Sequence, residues 1–540
     1  MATVEVGTRP SYVALRALAR RAFADARIRT AAFAYLFALY SFIQPVGYRH
    51  AYPDAAHRAA FAHSFAENVG LRLLYGAPHR VETVDGYTAW RVGGTLAIAA
   101  AIFGLLASVR ALRGEEDAGR TELVLSGIVG RRTLSTAAAV AIGGGIFTLW
   151  IAELAGFVVG GLPVAGSAYL ALATASAAVV CAGVGAVASQ LAPNRRVALE
   201  LGGALVGLFF LLRVVADTTS GAGWLRWLTP LGWAEELRPF SGLQPLVLLL
   251  PLGVSVLLLA CSALIAARRD IGAGLLPERD TADPSLHLLS SPAAQALRSS
   301  RGALIAWTGC VAIFAFILGT ISNSISSADV SAGVRKQIAK LGVGSIATPT
   351  GYLAFVFFLV TLSIVVFACT QVGAARDEEI SLRLETLLAL PVDRRRWLGG
   401  RLVLAAVAAA VIALTAGVFA WAGAASSGAS VSLLRMLEAG ANAVPITLLF
   451  AGIAALAYAL VPRASSGITY GLVAVAFVWQ LVGSLVSASG WLLGLTPFAH
   501  SALVPAQPFD DVGAAGMVAV GAAAAIAALL LFERRDLVGD

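Results

Sequence analysis

Apolar runs of about twenty residues recur along the whole chain, and short polar segments separate them. A helix needs about twenty apolar residues to cross the hydrocarbon core of a bilayer. The runs are continuous and do not alternate, so they predict membrane helices rather than strands of a barrel. Twelve spans are predicted, at residues 31–48, 91–112, 135–161, 164–190, 198–217, 244–267, 302–322, 351–375, 399–424, 440–462, 466–487 and 512–532.

Amino-acid composition indicates the same class of protein. Hydrophobic residues make up 58% of the chain and charged residues 13%, whereas a soluble domain needs about a quarter charged residues to cover its surface. The mean hydropathy is +0.81. We therefore expect an all-α integral membrane protein whose surface is solvated mainly by lipid.

The distribution of basic residues predicts the topology. An even number of spans places both termini on one side of the membrane, and that side receives most of the 39 Lys and Arg residues. Positive charge concentrates in cytoplasmic loops. We therefore expect a multi-pass protein of the plasma (inner) membrane with both termini cytoplasmic. This topology also accounts for the net charge of +8, so the charge does not indicate a nucleic-acid partner.

One charged segment occurs twice, after the second predicted span of each half. The copies occupy residues 113–132 and 376–395, and nine of the twenty aligned positions are identical. The identical pairs are Arg113/Arg376, Glu115/Glu378, Glu116/Glu379, Arg120/Arg383, Glu122/Glu385, Leu125/Leu388, Val129/Val392, Arg131/Arg394 and Arg132/Arg395. An internal repeat of this kind predicts a duplicated architecture.

A second repeated motif supports the duplication. Residues 224–230 read WLRWLTP and residues 491–497 read WLLGLTP, at nearly the same spacing as the charged copies. Two parallel six-helix repeats are therefore predicted. The expected domains are a first half at 1–267, with an N-terminal interfacial helix over about 11–30, a cytoplasmic linker with a second interfacial helix at 268–301, and a second half at 302–540.

The spacing of charges within the repeat predicts a short cytoplasmic helix. Glu116 and Arg120, like Glu379 and Arg383, are four residues apart with the glutamate first, an order that supports a helix. Such a helix between two spans offers a docking surface for another protein. The simpler alternative is a solvated loop whose charges serve solubility.

The run RDEEISLRLETLLALPVDRRRW, residues 376–397, resembles the segment after the second span in permeases of the ABC-2 exporter class. The fused halves with degenerate copies resemble the polyketide-antibiotic and tetronasin exporter permeases of actinobacteria. This resemblance implies that the repeats are coupling helices seated in two ATPase subunits. It assigns the contacts to Glu115, Glu116, Arg120, Glu122, Glu378, Glu379, Arg383 and Glu385. The first copy departs from the pattern, with Ile128 in place of the proline, so the two contacts are expected to be unequal.

The chain lacks the residues that an ATP site needs. A P-loop requires a lysine in a Gly-x4-Gly-Lys-Ser/Thr run, and the only lysines, Lys336 and Lys340, lie in no such run. The resemblance to ABC-2 permeases therefore implies two copies of a separate P-loop ATPase as partners, which would carry ATP and Mg. For this chain we expect no cofactor, no catalytic residues and, since no histidine or cysteine spacing suits a metal, no metal.

Ionisable and polar groups inside predicted spans mark candidate substrate contacts, because they are costly in lipid. Glu153 lies among apolar residues of span 3, and Arg213 of span 5 aligns with Gln480 of span 11. In the resembling class, that alignment implies that Arg213 and Gln480 line the path. The alternatives are snorkelling for Arg213 and an interhelical hydrogen bond for Glu153 or Gln480.

The expected function is export of hydrophobic compounds, such as antibiotics, by a permease subunit of an ATP-driven exporter; lipids and dyes fit the same pattern. The alternative is an ion-coupled, twelve-helix secondary transporter of the major-facilitator type. A chain that resembled this type would be expected to carry a Gly-x-x-x-Asp-Arg-x-Gly-Arg motif after the second span. Residues 114–132 do not contain this motif. A membrane enzyme is less favoured still.

Overall fold

The computed structural model describes residues 12–65, 71–72, 75–127, 129–219, 221–276, 288, 291–323, 348–380, 382–485 and 490–537. The chain divides into two compact units, Met1–Ala282 and Asp283–Asp540. All regular elements within the described ranges are helices. The α-helices of the first unit are α1 Tyr12–Ala51, α2 Ala55–Phe65, α3 Val84–Ala111, α4 Arg113–Asp117, α5 Arg120–Leu125, α6 Arg131–Val159, α7 Val164–Leu191, α8 Arg195–Thr218, α9 Pro230–Glu236 and α10 Leu249–Arg268.

The second unit begins, in its described part, with a long helix that contains a predicted span. Its α-helices are α11 Pro292–Ile321, α12 Pro349–Ile380, α13 Arg383–Leu388, α14 Arg394–Ser426, α15 Leu433–Ala441, α16 Ala443–Leu460, α17 Ser465–Leu485, α18 Gly490–Leu493 and α19 Asp511–Arg534. The two lysines, and residues 277–287, 289 and 290 of the linker at 268–301, lie outside the described residues.

Eleven helical segments in the described part of the chain are long and apolar enough to cross a membrane. They coincide with eleven of the predicted spans, which confirms a multi-pass, all-α membrane protein. The remaining predicted span, 466–487, overlaps helix α17, which is not among the eleven. A total of twelve membrane helices therefore stays a prediction.

The N-terminal interfacial helix and the first span form one continuous helix, α1, of 40 residues. Residues 12–44 contain neither glycine nor proline, so nothing in the sequence interrupts the helix there, and Pro45 lies within its last two turns. An interfacial position for the basic part of this helix stays a prediction, since the backbone shows no boundary between that part and the span.

Small residues allow long helices to pack closely within each unit. A Cβ atom added to Gly156 on α6 would lie 2.4 Å from the carbonyl oxygen of Ala38 on α1. In the second unit, a Cβ atom on Gly423 of α14 would lie 2.1 Å from the carbonyl oxygen of Phe316 on α11. Only glycine fits at such crossings, which are typical of membrane helices.

The motif at 224–230 and 491–497 caps a short helix in both units. The hydroxyl of Thr229 accepts a hydrogen bond from the Gly232 amide at 2.8 Å, and Pro230 is the first residue of α9. The hydroxyl of Thr496 accepts from the Phe498 amide at 3.3 Å, at the start of the 3₁₀ helix Pro497–His500. Threonine as N-cap followed by proline explains why this pair of residues recurs.

Candidate functional site

The two charged segments have the same local structure. Gly119 and Leu382 occupy equivalent positions of the repeat, and both have a left-handed backbone, with φ of 69° and 59°. A six-residue helix follows in each copy, α5 and α13, and the next long helix begins at Arg131 or Arg394. The two copies thus share their backbone conformation as well as the pattern of their charges.

In the first unit, Glu116 is bound to the end of the unit's last described long helix. Nη2 of Arg269, the residue that follows α10, donates to both carboxylate oxygens at 2.5 and 2.7 Å. Arg113 adds a bond of 3.0 Å from the other side. The side chains of Glu116 and Arg269 are only 14% and 5% exposed, so this is a largely buried ion pair.

The second unit repeats this contact with different sequence separations. Nη2 of Arg535, the residue that follows α19, donates to both oxygens of Glu379 at 2.6 Å. The hydroxyl of Tyr458 donates to the same carboxylate at 2.6 Å. The Glu379 side chain is 2% exposed.

A third repeated motif supplies the arginine of each pair, and sequence reasoning missed it. Arg268, Arg269 and Asp270 follow the sixth predicted span, and Arg534, Arg535 and Asp536 follow the twelfth. This Arg-Arg-Asp motif is visible in the sequence, but at three residues it is too short to stand out as a repeat.

A second arginine completes the arrangement in each unit. Arg131 donates to the backbone oxygen of Arg269 at 3.1 Å, and Arg394 donates to that of Arg535 at 2.6 Å. We call the sets Glu116–Arg269–Arg131 and Glu379–Arg535–Arg394 the first and second clasps. Each clasp joins the charged segment and the start of the following helix to the end of the terminal helix.

The first charged segment is held by further internal contacts. Arg113 is 1% exposed and donates to the backbone oxygens of Pro193, of Gly272 at 2.6 Å and of Ala273 at 3.1 Å. Asp117 accepts from the backbone amide of Arg195 at 2.6 Å. These bonds attach helix α4 to the segments that follow α7 and α10.

The eight residues assigned to docking divide into internal and external groups. Glu116 and Glu379 lie in the clasps, and Glu378 forms an ion pair with Arg401. The pair predicted between Glu116 and Arg120 is wrong: Arg120 instead binds Glu115, at 2.6 and 2.7 Å. Glu116 is unavailable because Arg269 and Arg113 surround its carboxylate. The side chains open to solvent are Arg120, Glu122, Arg383 and Glu385, with Glu115 half-buried.

Glu153, a substrate-path candidate, is buried inside the first unit. It lies on α6, is 1% exposed and accepts a 2.5 Å hydrogen bond from the hydroxyl of Thr174 on α7. The interhelical hydrogen bond considered as the alternative is therefore present. Gln480, the third candidate, is half-buried on α17.

Arg213 lies in a network of buried charges rather than extending alone towards water. Its Nη1 is 3.0 Å from Oε1 of Glu235, and its Nε is 3.7 Å from Oδ2 of Asp217. Arg226 binds Asp217 at 2.6 Å. The network links α8, the 3₁₀ helix Gly223–Leu228 and α9 through Arg213, Asp217, Arg226, Glu235, Glu236 and Arg238. At the 267-residue spacing, positions 217, 226, 235 and 236 of the second half are Ser484, Leu493, Ala502 and Leu503, so the network is specific to the first half.

Comparison with known proteins assigns the family. The model of the family described as "Multidrug efflux system permease Rv1217c, C-terminal domain" matches residues 59–266 and 289–533, one stretch in each unit. The chain belongs to this family of multidrug efflux permeases. It is also 32% identical, over 492 residues, to the multidrug efflux system permease protein Rv1217c of Mycobacterium tuberculosis (strain ATCC 25618 / H37Rv). That alignment covers 90% of this chain and 88% of the relative.

Membership of the family gives the charged segments and clasps a context. An efflux permease moves compounds across the membrane, and the family match includes both charged segments and both clasp glutamates. It also includes Glu153, Arg213 and Gln480. These elements are therefore features of a transport protein.

Proposed function

We propose that this permease is the transmembrane subunit of an ATP-driven ABC exporter, with two copies of a separate P-loop ATPase as partners. ATP and Mg would be bound by the partner, and this chain would hold no cofactor and catalyse no reaction. The observation that carries the proposal is the pair of charged segments with one shared backbone, each with exposed charges on one side and a clasp on the other.

The clasps suggest how movement enters the membrane helices. A push on α5 or α13 acts directly on the two long helices that flank it. Through the clasp it also acts on the end of α10 or α19, since one arginine nitrogen donates to both carboxylate oxygens of each clasp glutamate at 2.5–2.7 Å. Charge-assisted hydrogen bonds of this kind are short and strong, so they fix the relative position of the segments that they join. Each charged segment is therefore coupled to three long helices of its own unit.

The finer architecture belongs to the same proposal. We propose twelve membrane helices in two parallel six-helix repeats, with both termini and both charged segments at the cytoplasmic face of the inner membrane. Three motifs that recur at offsets of 263, 267 and 266 residues support the repeats. The exported compounds are proposed to be hydrophobic, in line with the multidrug efflux named for the relative.

The test uses exposed carboxylates of the charged segments. We would replace Glu122 and Glu385 together by glutamine and co-express the full chain with its partner P-loop ATPase. Drug-stimulated ATP hydrolysis and drug export should both fall, while the permease keeps its unfolding temperature. Glu438→Gln is the matched control, because this half-buried glutamate, which is paired with Arg435 at 3.0 Å, lies beyond the opposite end of α14. Full drug-stimulated hydrolysis in the double variant would contradict the proposal.

A further inference from the structure

A cavity of about 180 Å³ lies beside the first charged segment, between α1, α3, α5 and α6. Its walls change character along the helices. Phe33, Phe103 and Ile142 form apolar walls, whereas Arg29 and Arg110 line it nearer to the charged segment. The cavity thus combines an apolar interior with a basic end, as a membrane interface does.

Basic side chains outnumber acidic ones around this cavity. Of its four arginines, Arg120 is paired with Glu115 at 2.6 Å, and Arg21 lies 4.0 Å from Asp25. Arg29 donates only to a backbone oxygen, that of Asp25 at 3.1 Å. In the described part of the chain, neither Arg29 nor Arg110 has a carboxylate within ion-pair distance. With four arginines against the carboxylates of Asp25 and Glu115, the lining of this cavity carries an excess of two positive charges.

A further arginine lies close to this excess charge. A Cβ atom placed on Gly114 would lie 3.6 Å from Cγ of Arg110 and 3.5 Å from Cδ of Arg195. Two arginine side chains thus converge over one glycine. Like charges repel, and a bound anion is the usual way in which such an arrangement is stabilised.

The charge excess is not part of the repeated scaffold. At the spacing of the charged segments, the counterpart of Arg110 is Gly373. The second unit builds the same short helix and clasp without that arginine. Arg110 is therefore not needed for the fold of the charged segment, which favours a role in binding.

We infer that this cavity binds an anionic phospholipid, with its phosphate between Arg29 and Arg110 and an acyl chain along Phe33, Phe103 and Ile142. Basic pockets between membrane helices at the cytoplasmic side bind anionic headgroups by this chemistry. The position of the cavity is fixed by its lining residues. Which leaflet of the membrane the lipid comes from depends on the topology given under the proposed function. An exported compound with an anionic head would have the same chemistry, and the experiment separates the two.

The test measures lipid retained by the purified full chain. The protein would be equilibrated in micelles containing equal phosphatidylglycerol and phosphatidylcholine, and bound lipid counted by native mass spectrometry. Replacing Arg29 and Arg110 by glutamine should lower phosphatidylglycerol retention by about tenfold or more, since each interfacial arginine contributes about 1 kcal/mol. Arg27→Gln with Arg132→Gln removes the same charge at exposed positions outside the cavity and should leave retention unchanged.

A second variant tests the shape of the cavity independently of its charge. Ala107→Phe would fill the cavity without altering any charge and should also displace phosphatidylglycerol. The inference would be overturned if the control pair lost as much phosphatidylglycerol as the Arg29 and Arg110 variant, or if the cavity variants retained as much as the wild type. It would also be overturned if the wild type retained phosphatidylcholine equally well. Displacement by an exported compound would assign the site to cargo instead. Drug-stimulated hydrolysis in purely zwitterionic lipid reports on the proposed function independently.

Discussion

At the scale of single residues, each clasp depends on a buried ion pair, and such a pair is stable only when both partners are present. Removing one partner of such a pair leaves an uncompensated charge and costs about 3–5 kcal/mol, whereas the intact pair contributes little net stability. Glu379 is almost fully buried, and Arg535 also stacks over the ring of Phe532 at 5.2 Å. The pair therefore specifies where α19 ends against the charged segment.

Replacement of Arg535 by glutamine should destabilise the second unit by about 3–5 kcal/mol, because Glu379 would keep a buried charge. The measurement is unfolding of the full chain in detergent. Arg534→Gln is the control, since that neighbouring side chain is exposed. The double variant Glu379→Gln, Arg535→Gln should lose much less than the sum of the single losses. Additive losses would show that the two side chains act independently.

Glu235 makes the stability of the first unit depend on pH. Burial raises the pKa of Glu235 to about 8, with Asp217 adding to the shift and Arg213 opposing it. A raised carboxyl pKa contributes stability that is complete below the ordinary value of about 4.5 and lost as pH rises through 8. The unfolding temperature should therefore fall between about pH 5 and pH 8, and Glu235→Gln should flatten this fall. An identical pH profile in Glu438→Gln and Glu235→Gln would contradict the assignment.

At the scale of elements, the left-handed turn before α5 and α13 is set by the surrounding helices. A leucine at φ near 60° is strained by about 1–2 kcal/mol, yet Leu382 adopts the same turn as Gly119. The clasp and the two flanking helices must therefore hold the turn in place. Strain of this kind persists only where the surrounding structure determines it.

Exchange of these two residues tests that account. A Cβ atom at Gly119 would meet nothing within 4 Å, so Gly119→Leu should cost only the backbone strain, about 1–2 kcal/mol. Leu382→Gly should be neutral or stabilising in the second unit. Unfolding temperatures of the two single variants give the comparison. A large loss in Leu382→Gly would show that the leucine side chain itself stabilises the turn.

The helices were predictable from the sequence, whereas their ion-pair partners were not. An apolar run of twenty residues has few structural options in lipid, so eleven segments fell on predicted spans. Sequence spacing, however, reports only neighbours on one helix, and it paired Glu116 with Arg120. The real partner, Arg269, is 153 residues away and becomes a neighbour only when α10 packs in the unit. Arg213 was identifiable as a candidate because a charged residue stands out within an apolar span. Its partner Glu235 on α9 could not be identified from the sequence.

At the scale of the whole molecule, the two halves share a scaffold and differ in how they use their charges. In the first copy, Arg120 is paired with Glu115, and Asp117 and Arg113 bind each other at 3.0 Å. The counterpart of Asp117 is Ile380. Ile128, where the first copy lacks the proline, lies outside the described residues. The first half also carries the network around Arg213 and the basic cavity, so the duplication has diverged towards distinct roles.

This asymmetry predicts unequal attachment of the two ATPase copies. In the described part of the chain, Arg383 and Glu385 are exposed and have no ion-pair partner, whereas Arg120 of the first copy is already bound. A charge that is free can pair with another protein without first breaking an internal bond, so the second copy should contribute more to docking. Arg383→Glu should therefore weaken ATPase binding severalfold more than Arg120→Glu, measured by co-purification at increasing salt, because exposed ion pairs are screened. Arg435→Glu controls for the reversed charge, and equal losses in Arg383→Glu and Arg120→Glu would contradict unequal attachment.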